Sequence, residues 1–375
     1  MNGFRLARIF GIDVRVDYSW FIIVILILWS FTASVFPAQA PGLSQGTYIA
    51  MGVGGAVLFF VSLLLHELSH SVVARAKGIA VDGITLFIFG GMAHTKSEAR
   101  TPGDEFLIAG VGPLASLLIA AALGGLVWVG VGAGWSPAVL VVAQYLAVLN
   151  VALAVFNLLP GFPLDGGRLF RAVVWKVTGS VTKATRVASV GGRLLGYALI
   201  ALGVFEAVRG RVVSGLWLGF IGWFLRNAAI GSLRQHLVQD ALQQVEARQV
   251  MTSPPVTVAA DLDLQRLVGE FVTPQRFTAF PVVRNGEVVG LVSLNEVKRV
   301  PRERWPDTRA SDVMVPADDA IVVGLFDPMN AVLEKLRASP LKRVLVLRNG
   351  ELEGMITAHE LAAWLERARR QPEES

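Results

Sequence analysis

Ala56-Val57-Leu58-Phe59-Phe60-Val61-Ser62-Leu63-Leu64-Leu65-His66-Glu67-Leu68-Ser69-His70-Ser71-Val72-Val73-Ala74 is an apolar run of helix length interrupted by two imidazoles and a carboxylate. An ionisable side chain near the centre of a bilayer costs about 2.5–3.5 kcal/mol on insertion scales, so such groups face protein and carry function. Three of them stand here within five positions. On a helix, His66 and His70 are four residues apart and project from one face, with about 5–6 Å between Cβ atoms. They can therefore share one metal ion. Glu67 lies beside the same face and remains free to handle a water molecule, which is the general-base arrangement of zinc peptidases.

The rest of the chain agrees with a membrane setting. Its 375 residues are 53% hydrophobic and only 17% charged, and the mean hydropathy is +0.55, far from the composition of a soluble globular protein. Six runs approach the roughly 20 residues needed to cross a bilayer: 18–36, 48–74, 106–131, 138–159, 194–208 and 213–230. The expected architecture is thus a polytopic α-helical membrane protein of about six spans. Up to residue 245 there are 17 Lys and Arg against 10 Asp and Glu, and beyond it 17 against 19. The basic excess lies in loops between spans, which argues for topology and against a nucleic-acid face. Lys and Arg are retained on the cytoplasmic side of short loops. Arg5, Arg8 and Arg15, the 75–105 loop with Arg75, Lys77, Lys96 and Arg100, and the 165–193 segment are basic, whereas 37–47 and 132–137 carry no charge. Both termini are therefore expected in the cytoplasm, with the protein in the cell membrane and the first span retained as a signal anchor.

Residues 83–95 are too short to span and too apolar for a free loop. Their β-branched and aromatic content followed by Gly90-Gly91 predicts a hairpin, which inside a membrane must lie against protein or line a cavity. There are no cysteines, so disulfides and thiolate metal sites are excluded. A catalytic zinc normally takes three protein ligands and a water, so two histidines leave it one short. Asp165 is the best candidate for the third, in Asn157-Leu158-Leu159-Pro160-Gly161-Phe162-Pro163-Leu164-Asp165-Gly166-Gly167-Arg168. The prolines and glycines there stop the fourth span in irregular backbone, admissible at membrane depth only when buried in protein. His94, after the expected hairpin, reads as an interfacial histidine, and Glu206 as a carboxylate pairing with Arg209 and Arg211 near the surface.

His66-Glu67-x-x-His70 within a span, followed by Asn157 and Leu164-Asp165-Gly166, resembles the site-2 protease family of intramembrane metalloproteases. The resemblance implies His66, His70 and Asp165 as zinc ligands, Glu67 as the residue that activates water, and Asn157 as a stabiliser of the tetrahedral oxyanion. It also implies a substrate presented as a transmembrane segment: an anti-sigma factor, a pro-sigma factor or a remnant signal peptide. A helix hides its carbonyls in internal hydrogen bonds, so the substrate must be unwound, and strand addition to the 83–95 hairpin would hold it open. Proline in place of Phe87 is the corresponding probe.

The C-terminal part repeats itself. Val250-Met251-Thr252 recurs as Val313-Met314-Val315, Arg284-Asn285-Gly286-Glu287 as Arg348-Asn349-Gly350-Glu351, and Gly290-Leu291-Val292-Ser293 as Gly354-Met355-Ile356-Thr357. Each copy holds two apolar strands joined by an Asn-Gly turn that favours a tight hairpin. The layout resembles tandem cystathionine β-synthase (CBS) domains, which pair into clefts that bind adenine nucleotides. The C-terminal domain is accordingly expected to be an α/β CBS pair. Ser293 and Thr357 match the hydroxyl position used near phosphate, while Glu296 and Glu360 stand where the nucleotide-binding pattern has Asp. The alternatives at this pair are nucleotide sensing and a structural or dimerising role as a homodimer contact.

The expected domains are 1–236 (membrane peptidase), 237–249 (a polar linking helix), 250–368 (CBS copies 250–308 and 309–368) and a disordered tail at 369–375. Two rivals are a CBS-gated transporter or channel and an inactive relative that binds membrane partners. The first does not predict His-Glu-x-x-His together with a distant Asp, and the retention of Glu67 with all three ligand types argues against the second.

Overall fold

The structure, a computed structural model, describes residues 3–88, 90–95, 97–272, 278–318, 321–339 and 341–370. Phe89 and Lys96, assigned above to the hairpin and the basic loop, lie outside the described residues, as does 371–375. The chain divides into two compact units, Met1–His236 and Leu237–Ser375.

Six helices of the described chain are long and apolar enough to cross a membrane: α1 (Trp20–Gln39), α2 (Gln45–Ala76), α3 (Pro102–Gly132), α4 (Pro137–Asn157), α6 (Val181–Val208) and α7 (Val212–Gln243). A shorter helix, α5 (Asp165–Thr178), follows α4. Large apolar side chains such as Val57, Leu58, Leu65, Leu118, Trp128 and Leu194 point outward. In water this would be an aggregation-prone surface, and in a bilayer it is the lipid face. The inward stripe of α2 carries small and polar residues, including Gly52, Gly55, Ala56, Ser62, His66 and His70. On α1 and α4, Phe36 is fully buried with its ring 5.1 Å from Phe31 and 5.9 Å from Tyr145.

Helix α6 begins thirteen residues before the expected 194–208 span. The basic residues Lys183, Arg186 and Arg193 obscured it in a hydropathy reading. Its inward face at Ala184, Ala188, Ser189 and Gly192 nonetheless continues the helix.

The expected hairpin forms from β3 (Val81–Phe87) and β4 (Gly90–Thr95), but it is half of a larger element. Strands β1 (Gly3–Ile9) and β2 (Ile12–Asp17) complete a four-stranded sheet in the order β1-β2-β3-β4, with β2 and β3 parallel and the other pairs antiparallel. Ile12, Val14 and Val16 alternate with Asp13, Arg15 and Asp17 and are fully buried, the period-2 signature of a half-buried strand. The inner face packs Ile12, Ile84 and Leu86 on Leu68 of α2. The sheet therefore packs on the same helix turn as the His66–His70 pentapeptide, and β4 is an edge strand of the sheet.

In the second unit each repeat supplies the expected hairpin: β6 (Ala279–Arg284) with β7 (Glu287–Ser293), and β10 (Arg343–Arg348) with β11 (Glu351–Thr357). Asn285 and Gly286 have φ of 54° and 87°, Asn349 and Gly350 of 53° and 88°, the two positive values that a type I′ turn requires. The short strands β5 (Val258–Ala259) and β8 (Val315–Pro316) flank the first hairpin, and β9 (Val322–Gly324) lies beside β10. The copies are not independent. Met251 packs on Gly354 of the second copy and Met314 on Gly290 of the first, and Thr252 bridges Met355. Each repeat thus sends its leading Val-Met segment onto the other's hairpin.

The expected linking helix over 237–249 is different in the structure. Helix α7 ends at Gln243, and Leu242, Val245 and Ala247 are buried in the core of the second repeat with Val323, Val346 and Ile356. These three apolar residues are spaced three and two apart in a Gln-rich stretch, too sparse to reveal a buried face. At the other end, a helix (Ala358–Arg370) includes residues 369 and 370 of the expected tail.

Candidate metal centre

His66, His70 and Asp165 come together. His66 Nε2 lies 3.2 Å from Asp165 Oδ2, His70 Nε2 lies 3.2 Å from the same oxygen, and the two Nε2 atoms are 3.2 Å apart. All three residues are at least nine-tenths buried. Tetrahedral zinc with bonds of about 2.0–2.1 Å separates its donor atoms by roughly 3.3–3.4 Å, so the triangle has the size that the ion demands. The donor chemistry agrees. His70 donates its Nδ1 proton to Ile108 O at 2.6 Å, so Nε2 is the atom turned to the Asp165 carboxylate and to the second imidazole. Two imidazole nitrogens and a carboxylate oxygen converging on one point are a donor set that a zinc ion would accept. His66 Nδ1 is held from behind by Ser116 Oγ at 2.9 Å. Such outer contacts fix ring orientation and tautomer.

Asp165 is the first residue of α5, where a carboxylate is favoured by the helix dipole. The glycines after it are a packing requirement: a Cβ at Gly166 would enter the Leu158 and Leu159 carbonyls, and one at Gly167 the backbone of Gly161 and Phe162. The helix start is thereby seated on the irregular 158–162 segment.

A cavity of about 400 Å³ opens beside the triangle, with Glu67, Asn157, Gly91, Met92, Ala93 and Thr95 in its wall. Four of these belong to edge strand β4. Glu67 is half-buried, and a Cβ at Gly91 would overlap its side chain. The edge strand therefore lies directly on the carboxylate. Asn157 donates one amide hydrogen to Leu153 O at 3.1 Å and keeps the second.

Several residues around the site have no role in the sequence reading. Gly112 of α3 packs against both imidazoles, its absent Cβ falling 2.7 Å from His66 Nε2 and nearer still to His70 Nε2. Gly112-Pro113 inside an apolar span, with Ser116 one turn later, is the signal that could have drawn attention to this helix. Glu105 is completely buried between Arg168 and Arg171, with Nε to Oε1 at 3.1 Å and Nη2 to Oε2 at 2.7 Å. Arg171 also reaches Glu98 at 3.2 Å, and His236 stands 3.5 Å from the same carboxylate. The His236 contact, opposed by burial and supported by Arg171, holds the Glu98 carboxyl below its usual range.

Other expected residues are elsewhere. His94 bonds Thr85 Oγ1 at 2.9 Å in a separate cavity shared with Arg15 and Asp82. Glu206 pairs with Arg211 at 3.2 Å, as expected of a surface carboxylate. In the CBS pair, the Ser293 hydroxyl donates to Glu296 and the Thr357 hydroxyl to Glu360, while each hydroxyl oxygen caps the following helix at Asn295 N and His359 N.

Comparisons with known proteins address the family of the chain. The model of "Peptidase family M50" matches residues 54–136 and 121–202, and that of "CBS domain" matches 247–303 and 310–367. A Mycobacterium tuberculosis protein named "Putative zinc metalloprotease Rip3" is 37% identical over 366 residues, covering 96% of this chain and 92% of its own. A Synechocystis protein named "Putative zinc metalloprotease sll0528" is 32% identical over 360 residues, covering 95% and 93%. A solved structure, "Site-2 Protease from Methanocaldococcus jannaschii", is similar at 24% identity over 62% of this chain and 95% of that one, with a TM-score of 0.43. With its six apolar helices and its two matched modules, the chain belongs to peptidase family M50, the site-2 protease family, and carries a C-terminal pair of CBS domains.

Proposed function

We propose that this protein is an intramembrane zinc endopeptidase that hydrolyses peptide bonds in or near transmembrane segments of other membrane proteins, with His66, His70 and Asp165 as ligands, Glu67 as general base and Asn157 as oxyanion donor. One observation carries the reading: three buried donor atoms 3.2 Å apart adjoin a carboxylate that is not among them, within an apolar helix bundle. A CBS-gated transporter has no need of that set.

His66, His70 and Asp165 would hold the zinc ion, which when bound would supply Lewis-acid polarisation of the scissile carbonyl and a lowered pKa for a water molecule. The chain's residues supply the rest. Glu67 accepts a proton from the attacking water and returns it to the departing amine, so the products are a new carboxylate and a new amino terminus. Asn157 offers its second amide hydrogen where negative charge grows on the carbonyl oxygen, a donor of the kind that contributes about 2.7–4 kcal/mol to other acyl-transfer sites. The unpaired edge of β4 accepts the unwound substrate as an added strand. Phe87 lies on β3, between β2 and β4, so proline there tests the hairpin and not its free edge. Proline at Met92 and at Ala93 separates the two, because successive N–H groups point to opposite sides of a strand.

Lys and Arg in the loops support cytoplasmic termini and a cleavage site towards the cytoplasmic side. The CBS pair would then modulate activity from that compartment. An adenine nucleotide would have to displace the Ser293–Glu296 and Thr357–Glu360 contacts, which favours a structural and dimerising role. A thermal shift of the full chain with ATP or AMP distinguishes the two, stabilisation supporting nucleotide sensing.

The decisive experiment compares wild type with Glu67→Gln for zinc content and for cleavage of a single-span test substrate. Wild type should hold one zinc and cleave, and the variant should hold zinc without cleaving. A wild type that binds no zinc refutes the proposal.

A further inference from the structure

Helix α3 presents four groups to the site at steps of three, four and four residues: Glu105, Ile108, Gly112 and Ser116. Such spacing lies along one helix face. Ile108 O holds His70, Ser116 Oγ holds His66, and Gly112 makes room for both rings. The remaining group is a fully buried carboxylate that touches no ligand. It bridges Arg168 and Arg171 of α5, which stand three and six residues after Asp165.

Resting on the zinc reading above, we propose that Glu105 is a positioning residue for the third ligand: by clamping Arg168 and Arg171 it fixes the helix that begins at Asp165 to the same rod that orients both imidazoles. Asp165, Arg168 and Arg171 follow one another at three-residue intervals, so a hold on the two cations sets both the rotation and the axial position of α5. The 3.2 Å spacing of Asp165 Oδ2 from the two nitrogens depends on that placement. A fully buried carboxylate between two guanidinium groups tolerates little displacement, because separation would leave the carboxylate unpaired in a medium of low dielectric constant. The histidines come from one helix and keep their mutual distance through its backbone. Asp165 arrives from a different helix after an irregular segment, and it is the ligand that needs external registration.

The test uses the full chain purified in detergent, freed of metal and titrated with zinc against a competing chromophoric chelator, with cobalt(II) absorption as a readout of ligand geometry. Glu105→Gln should weaken zinc binding 10- to 100-fold, the range typical of outer-shell substitutions, and alter the cobalt bands. Glu105→Asp keeps the charge and should recover part of the affinity. Phe36→Ala removes a buried ring far along the bundle and controls for loss of stability; it should lower the unfolding temperature and leave zinc affinity and cobalt bands as in wild type. Wild-type affinity within twofold in Glu105→Gln, with an unchanged cobalt spectrum, overturns the inference while leaving the zinc site intact. Equal loss of zinc in Phe36→Ala also overturns it, since the effect would then be general destabilisation. Should Glu105→Gln fail to fold, Glu105→Asp against Phe36→Ala decides by the same criteria. Absence of zinc from wild type overturns the site itself and this inference with it.

Discussion

Gly112→Ala adds one methyl group, and its consequence can be worked out from the site. The new carbon would stand 2.7 Å from His66 Nε2 and closer to His70 Nε2, whereas unstrained contacts of this type lie near 3.5 Å. Neither ring can simply retreat, because His70 Nδ1 is tied to Ile108 O and His66 Nδ1 to Ser116 Oγ, both on the helix that carries the methyl. Overpacking a filled interior costs about 1–3 kcal/mol, and loosening one of the rear hydrogen bonds about 0.5–1.5 kcal/mol more. A total of about 1.5–4.5 kcal/mol set against the metal-competent arrangement corresponds to a roughly 10- to 1,600-fold weaker zinc affinity at 1.4 kcal/mol per tenfold. Competition with a chromophoric chelator on the purified chain measures it. Gly125→Ala on the same helix is the control, since a Cβ there meets nothing within 4 Å, and its zinc affinity should match wild type. If Gly112→Ala binds zinc within threefold of wild type, the packing of α3 against the two imidazoles is not as described.

Three other outcomes follow from the same geometry. Gly91→Ala drives a methyl group into Glu67 and should depress cleavage towards the level of Glu67→Gln with zinc content unchanged; loss of zinc instead would mean that the edge strand supports the ligands. Stripping the metal with a chelator should abolish cleavage, and added zinc should restore it, as followed by gel analysis of a single-span substrate. Burial works to raise the Glu360 carboxyl, but hydrogen bonds from Thr357 and Thr252 outweigh it and hold it below its ordinary value of 4.5. A depressed carboxyl contributes stability above its unfolded value and loses it as pH falls through the lower folded one. The unfolding temperature of the second unit should therefore drop on acidification below about pH 4.5, and Glu360→Gln should lower it at neutral pH while flattening that acid limb.

What could be read ahead of the structure was local. Hydropathy marks most of each span because roughly 20 apolar residues in a row have one sufficient explanation, yet it missed the start of α6, where lysine and arginine share turns with inward-facing alanines. The Asn-Gly dipeptides mark both CBS hairpins because few other pairs accept two positive φ values. The N-terminal strands carried a readable alternation at Ile12, Val14 and Val16. Three arginines close to a first span carry a topology signal that overlies this alternation, and pairing of β2 with β3 joins residues some seventy positions apart.

The sequence by itself determined the i and i+4 placement of two histidines on one helix, the glutamate beside them and the two-copy character of the C-terminal part, because each is a matter of residue chemistry at fixed short spacing. Only the tertiary structure decided which helix organises the site. Ile108, Gly112 and Ser116 have ordinary identities for a membrane helix, Glu105 stands in its first turn, where a charge at the edge of a span is unremarkable, and Ile108 acts through its backbone carbonyl, which no residue type encodes. Their role arises when α2, α3 and α5 pack at contact distance, and it is that packing which brings Asp165 across ninety-five positions of chain to within 3.2 Å of His70.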